Sequence, residues 1–181
     1  MSYLIIGLGN PGKQYKNTRH NLGFRVLDLL ADGENWQDKH DSKFIKLNDI
    51  ILAKPQTFMN KSGEAVKEIL KYYPAAEMIV IHDDLDLPFG SIKVQKNISS
   101  AGHNGVQSII DELGTQNFVR VRLGIDMPEA RGRIPGDVYV LQNFSGLEEE
   151  IIKQQLLPAA VKAIETIQTQ DFETAQSRFN G

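Results

Sequence analysis

The chain has 181 residues, 41% of them hydrophobic and 24% charged, with a formal net charge of -3 and no cysteine. This is ordinary globular composition, long enough for one substantial core, so a single domain over residues 1–181 is expected. The lack of cysteine excludes disulfides, thiolate metal sites and a cysteine nucleophile, and the negative charge argues against indiscriminate nucleic-acid binding while allowing a local basic face.

The first apolar run, Leu4-Ile5-Ile6, stops at Gly7, as a buried strand does, and Gly7, Gly9, Pro11 and Gly12 turn the backbone sharply as it leaves. No charged leader with an apolar stretch and a cleavage site precedes it, and no run reaches the roughly 18 apolar residues of a membrane helix, so a cytoplasmic protein without membrane contact is expected. Thr18-Arg19-His20-Asn21 then opens a helix carrying Leu22, Phe24, Val26, Leu27, Leu29 and Leu30, with Thr18 or Asn21 as the N-cap. Gly7-Leu8-Gly9-Asn10-Pro11-Gly12 also spells the dinucleotide fingerprint. That fingerprint needs the helix to open within the glycines and an acidic residue at the end of a second strand, whereas a polar loop follows here and Asp28 falls inside the helix.

Residues 43–47 and 50–53, joined by Asn48-Asp49, read as a hairpin. Residues 62–73 form a helix with Ala65, Val66, Ile69 and Leu70 on one face, and residues 78–81 a buried parallel strand. Residues 91–96 and 118–125 alternate like strands on either side of a short amphipathic helix at 105–113. Residues 126–136 read as an exposed mobile loop, and residues 147–179 as helical with a break at or near Pro158. The alternation predicts an α/β fold: a mixed, mostly parallel twisted sheet flanked by helices, with an antiparallel edge.

Ligands of such sheets collect beyond the carboxyl ends of the strands, and those segments are polar and amide-rich. Asn10 follows the first strand, Lys54 to Asn60 the second, His82-Asp83-Asp84-Leu85-Asp86 the third, and Gly102-His103-Asn104-Gly105 opens the next helix. Hard-metal ligation by His82, Asp83, Asp84 and Asp86 is disfavoured, because neighbours on an extended segment point to opposite sides and no second cluster completes a shell. No serine stands in a nucleophile elbow, which leaves water as the nucleophile. His20 taken alone reads as a capping or surface histidine. With a carboxylate from the acidic cluster to fix its tautomer, and asparagines to hold a carbonyl and its oxyanion, it suits hydrolysis of an activated acyl bond.

The ordered segments GLGNPGKQYKNTRHNLGF, KPQTFMNKSGEAV, IHDDLDLPFGSIKV, AGHNGVQSI, FVRVRLGI and DVYVLQNFS resemble bacterial-type peptidyl-tRNA hydrolase over most of the chain up to about Ser145. The resemblance implies a monomeric α/β enzyme, with no metal or other cofactor, that cleaves the ester between a peptide and the 3′ ribose of tRNA. By matching position, it implies His20 as proton acceptor, Asp83 as the carboxylate that stabilises it, and Asn10 as the group that tells blocked from free aminoacyl ends. It assigns Tyr15, Phe58, Asn60 and Asn104 to the tRNA end or the peptide main chain. The choice of Asp83 over Asp84 or Asp86 rests on the resemblance. Two positions depart from the family: Gln95 stands where a basic residue is common, and Gln107 where lysine is usual. The RNA phosphates are therefore expected to meet Arg122 and Lys93, on a basic face shared with Lys96, Arg120, Arg131 and Arg133. A non-catalytic RNA-binding factor on the same fold is the alternative, and retention of the base and its carboxylate argues against it.

Overall fold

A computed structural model describes residues 2–74, 77–130 and 132–180. Its sheet has seven strands: β1 (Tyr3–Gly7), β2 (Gln37–Lys39), β3 (Ser42–Leu47), β4 (Ile50–Pro55), β5 (Glu77–Pro88), β6 (Ile92–Lys96) and β7 (Val119–Asp126), in the order β2-β3-β4-β1-β5-β7-β6. The four central strands, β4, β1, β5 and β7, run parallel, while β2, β3 and β6 add antiparallel margins. The helices are α1 (Leu22–Leu30), α2 (Ser62–Tyr72), α3 (Asn104–Leu113), α4 (Gly136–Tyr139), α5 (Gly146–Ile151), α6 (Leu157–Thr169) and α7 (Phe172–Phe179).

β1 is buried on both faces, and this is why it reads as an unbroken apolar run. Ile5 packs with Leu22, Val26 and Leu27 of α1 and Ala160, Ile164 and Ile167 of α6. Leu4 and Ile6 face the other way, onto Val66 and Ile69 of α2 and Val106 and Ile109 of α3. Period-two alternation thus splits the apolar residues between two cores, one on each side of the sheet.

Several expectations are corrected. β5 does not stop at Ile81 but runs through the acidic cluster to Pro88, so His82, Asp83 and Asp84 are strand residues. The exposed Gln37–Lys39 strand has no apolar residue to announce it. Neither Thr18 nor Asn21 caps α1 with its side chain: Thr18 Oγ1 donates to the Tyr15 carbonyl at 2.8 Å, and Asn21 turns back to Asn10. Pro158 does not break the C-terminal helix. A π turn over Ile152–Leu156, with the Leu157 N–H reaching back to the Ile152 carbonyl, leads into α6 with proline in its first turn. The break falls at Gln170, after which Asp171 caps α7 by accepting from the Thr174 N–H at 2.7 Å. Residues 127–130 and 132–135 are turns, and Arg131 lies outside the described residues.

Close backbone approach brings the start of α1 onto the sheet. A Cβ on Gly23 would lie 2.4 Å from the Ile81 carbonyl oxygen and 2.4 Å from the Leu8 nitrogen, and one on Gly7 would lie 2.2 Å from the Gly23 oxygen. Every one of these neighbours is backbone, so none yields cheaply. Gly23→Ala should lower Tm by roughly 2–12 °C in thermal unfolding, from the usual cost of overpacking in a chain of this size. An unchanged Tm would show that helix and sheet are not in contact at this point.

Candidate active site

β1 ends at Gly7, paired with Ile81, while β5 continues beside β7 with Asp83 opposite Leu123. Asp83 therefore projects past the end of its neighbour into the opening this leaves. The chain following β1 re-enters above it as a 3-10 turn, Arg19–Asn21. That turn is held from behind: the Arg19 and His20 N–H groups donate to the Gln142 and Val140 carbonyls at 3.0 and 2.8 Å. The Arg19 guanidinium lies between the rings of Tyr139 and Phe144, 4.4 and 4.5 Å from their centroids, and pairs with Glu148 at 2.8 Å.

His20 Nδ1 lies 2.9 and 3.0 Å from the two oxygens of Asp83, a residue with 1% of its surface exposed. His103 Nε2 approaches the same carboxylate at 3.1 Å. His103 also caps α3, its Nδ1 accepting from the N–H groups of Gly105 and Val106 at 3.1 and 3.3 Å. A nitrogen that accepts carries no proton, so His103 is the neutral Nε2–H tautomer and donates to Asp83. His20 donates through Nδ1, which leaves the Nε2 lone pair free, and that atom makes no hydrogen bond among the described residues.

Burial disfavours the His20 cation, but the charge and hydrogen bond of Asp83 outweigh it, so the imidazole pKa lies above its ordinary value. Burial likewise pushes the Asp83 carboxyl up, and the His20 charge with the hydrogen bonds from His20 and His103 more than offsets this, holding it well below the usual carboxylate range. His82 is different. Burial pushes its pKa well down, and its Nδ1 bonds to the Asp83 carbonyl at 2.6 Å.

His20, Asp83, His103 and Asn104 line a cavity of about 310 Å³ closed on its other side by Leu85, Gly136 and Val140. Asn10 stands at the neighbouring groove, its backbone clamped by the Asn21 amide: Asn21 Oδ1 accepts from the Asn10 N–H and Asn21 Nδ2 donates to the Asn10 carbonyl, each at 2.9 Å. Its own Oδ1 accepts from the Met59 N–H at 2.9 Å. Only Nδ2 of Asn10 is left to donate outward. Met59 sits between the exposed Phe58 and Asn60 at the start of a 3-10 turn, Met59–Lys61, and neither of those two lines the cavity or the groove.

The remaining expected residues do not converge on this cavity. Tyr15 is half-buried in a 3-10 turn, Lys13–Tyr15, and lines neither cavity nor groove. Arg122 donates from Nε to Asp84 at 2.6 Å and from Nη1 to Gln95, with the exposed Lys93 directly opposite on β6. The broader basic face is corrected: Arg120 is 1% exposed and donates to the Ile98 and Ser99 carbonyls, both at 2.6 Å, and Lys96 pairs with Glu77 at 3.0 Å. The acidic cluster disperses too, since Asp84 turns to Arg122 and accepts from the Asp86 N–H. The ligand-type atoms that do converge, within 4.8 Å, belong to His20, Asp83 and His103. Their separations near 3 Å are those of direct hydrogen bonds.

The structure adds two residues to the expected site, His103 and Asn21. His103 falls in the Gly102-His103-Asn104-Gly105 segment that opens α3, but histidine is not a preferred N-cap, so residue type alone does not mark its part. The contact between Asn21 and Asn10 has no marker either.

The family model for peptidyl-tRNA hydrolase matches residues 4–181. A peptidyl-tRNA hydrolase of Dehalococcoides mccartyi is 45% identical over 187 aligned positions covering 98% of each chain. One from Sulfurimonas denitrificans is 41% identical, covering 97% of this chain and 95% of its own. The crystal structure of peptidyl-tRNA hydrolase from Acinetobacter baumannii superposes with a TM-score of 0.87 at 29% identity, over 99% of this chain and 95% of that one. The carboxylate shared by two histidines at the mouth of a mixed seven-stranded sheet thus sits in a chain that belongs to the peptidyl-tRNA hydrolase family.

Proposed function

We propose that this peptidyl-tRNA hydrolase breaks the ester between the peptide and the 3′ ribose of tRNA with His20 as general base. In this reading His20 Nε2 takes a proton from water as the water oxygen attacks the ester carbonyl. The negative charge that develops on the carbonyl oxygen is held by amide donors, Asn10 Nδ2 foremost, with Asn60 and Asn104 along the peptide main chain. As the tetrahedral intermediate collapses, the C–O bond to ribose breaks, and the imidazolium returns its proton to the departing 3′ oxygen. Asp83 stays ionised throughout and stabilises the imidazolium.

The observation that carries this reading is the His20 Nδ1 to Asp83 pair, which leaves Nε2 unengaged beside the cavity. A non-catalytic RNA-binding role has no use for a buried carboxylate committed to two imidazoles. Tyr15 and Phe58 would pack on the tRNA end, and Arg122 and Lys93 would meet its phosphates. The same reading has the chain act as a monomeric single domain in the cytoplasm, without a metal. No helix among the described residues is long and apolar enough to cross a membrane. The test is release of free tRNA from an N-acetylated aminoacyl-tRNA, with and without excess chelator; loss of turnover in chelator would refute the metal-free mechanism.

His20→Ala should cost on the order of 10²- to 10⁴-fold in kcat, with tRNA affinity nearly intact. Only neutral imidazole accepts a proton, and the folded pKa of His20 is raised, so the acid limb of kcat/KM should have its midpoint above about 6.5. Asp83→Asn removes the charge that opposes burial, so that midpoint should move down in pH while kcat falls steeply. A limb that stays in place in the variant would detach Asp83 from His20.

Asn10→Asp keeps the acceptor for the Met59 N–H and abolishes the outward donor. Hydrolysis of N-acetylated over free aminoacyl-tRNA should then become less selective, because a blocked amide loses its partner while a cationic amine gains one. An unchanged ratio would remove Asn10 from substrate discrimination.

A further inference from the structure

Where a sheet ends, every other residue of its last strand turns its N–H and C=O groups outward, with no strand to receive them. One such edge here is β6, the strand that carries Lys93 and Gln95. Val94 lies between those two, its side chain fully buried in the core shared with α6 and α7. Its backbone polar groups face away from β7, and a single side chain takes up both. Asn180 Oδ1 accepts from the Val94 N–H at 2.6 Å, and Asn180 Nδ2 donates to the Val94 carbonyl at 3.0 Å. Gln176 Nε2, one helical turn earlier, approaches the same carbonyl at 3.4 Å. The amide of Asn180 thus offers β6 the donor and acceptor that the opposite residue of a neighbouring strand would offer.

Asparagine just past a helix commonly serves to adopt the left-handed conformation that ends it. Asn180 has a φ of -94°, so that explanation does not apply and its amide is what the position uses. The amide also arrives from a fixed base: Ala175 of α7 is fully buried, and Phe172 and Phe179 pack against the same core as Val94. What it holds in place matters for RNA. Lys93 lies opposite Arg122, and Gln95 Oε1 accepts from Arg122 Nη1, completing with Asp84 the hold on that guanidinium. Both flank Val94, so lifting Val94 from the edge displaces both.

We propose that Asn180 is a positioning residue for tRNA binding, which pairs with Val94 in place of an eighth strand and so keeps Lys93 and the acceptor of Arg122 docked. The inference rests on the reading of Lys93 and Arg122 as the phosphate contacts. Edge strands belong to the least stable parts of a fold, so a single pair of bonds weighs heavily on how often β6 undocks. Losing the two bonds of Asn180 multiplies the undocked-to-docked ratio by about five- to thirtyfold. The apparent affinity for tRNA falls as the docked fraction falls.

The experiment follows Asn180→Ala by amide hydrogen exchange and by kinetics. Exchange at Val94 should speed up by about five- to thirtyfold, while the amides of β1 keep their protection. KM for an N-acetylated aminoacyl-tRNA should rise about two- to fivefold at constant kcat. The same aminoacyl ester on a short 3′ oligonucleotide, which lacks the acceptor stem, should react as with the unmodified enzyme. Asn180→Asp keeps the acceptor for the Val94 N–H but sets a carboxylate oxygen against the Val94 carbonyl, so it should raise KM for tRNA at least as much. An unchanged KM in Asn180→Ala, where Lys93→Gln raises it, overturns the proposal. Equal losses on tRNA and oligonucleotide substrates also overturn it and assign Asn180 to general stability. Failure of the underlying reading looks different: Lys93→Gln and Arg122→Ala then leave KM for tRNA unchanged although exchange at Val94 is accelerated in Asn180→Ala, and the proposal falls with its premise.

Discussion

Asp83 is a buried carboxylate, and the site is built from what keeps it charged. An ionised carboxylate taken out of water costs several kcal/mol unless hydrogen bonds and countercharge replace its hydration. Here the replacement comes from two imidazole N–H groups, one on the turn after β1 and one at the start of α3. Three segments distant in sequence thus meet at one group. The arrangement also orders the protons: with His103 Nδ1 occupied by backbone donors and His20 Nδ1 committed to Asp83, the nitrogen of these two rings that has no hydrogen bond among the described residues is His20 Nε2.

Neighbouring contacts keep this group from relaxing. The Arg19 guanidinium, stacked between Tyr139 and Phe144 and paired with Glu148, anchors the residue before His20. The Asn21 amide, one residue after, clamps both backbone polar groups of Asn10. His20 and Asn10 are thereby fixed from the two ends of one 3-10 turn, Arg19–Asn21, and the close packing of Gly23 on Leu8 and Ile81 sets the height of that turn above the sheet. In the proposed reaction such pre-organisation would let a weak nucleophile, water, react without the site having to rearrange around it.

The parallel centre of the sheet was legible because strands buried on both faces must be apolar throughout, as in Leu4-Ile5-Ile6, and the hairpin because Asn48-Asp49 separates two short strand-like runs. The reach of β5 was not, since His82-Asp83-Asp84 is polar for chemical reasons while remaining hydrogen-bonded strand. Arg120 misled in the opposite sense: strand alternation places it beside Arg122, and only the fold reveals that the Ile98 and Ser99 carbonyls hold it below the surface. Pro158 ends a helix in most contexts, but here it falls in the first turn of α6, where proline is tolerated, and one wide turn over Ile152–Leu156 leads into it. In the site, His20 and the acidic cluster stood out by residue type, whereas the part of His103 depends on a pairing across 20 residues that spacing does not encode.

The most direct test of the shared carboxylate is a nitrogen-15 NMR titration of the histidine rings in the free enzyme. The account requires neutral His20 to carry its proton on Nδ1, with a midpoint above about 6.5, and His103 to carry its proton on Nε2. His20 protonated on Nε2 at alkaline pH, or titrating below the ordinary histidine value, would contradict it, because no lone pair would then face the cavity and Asp83 would not be its partner.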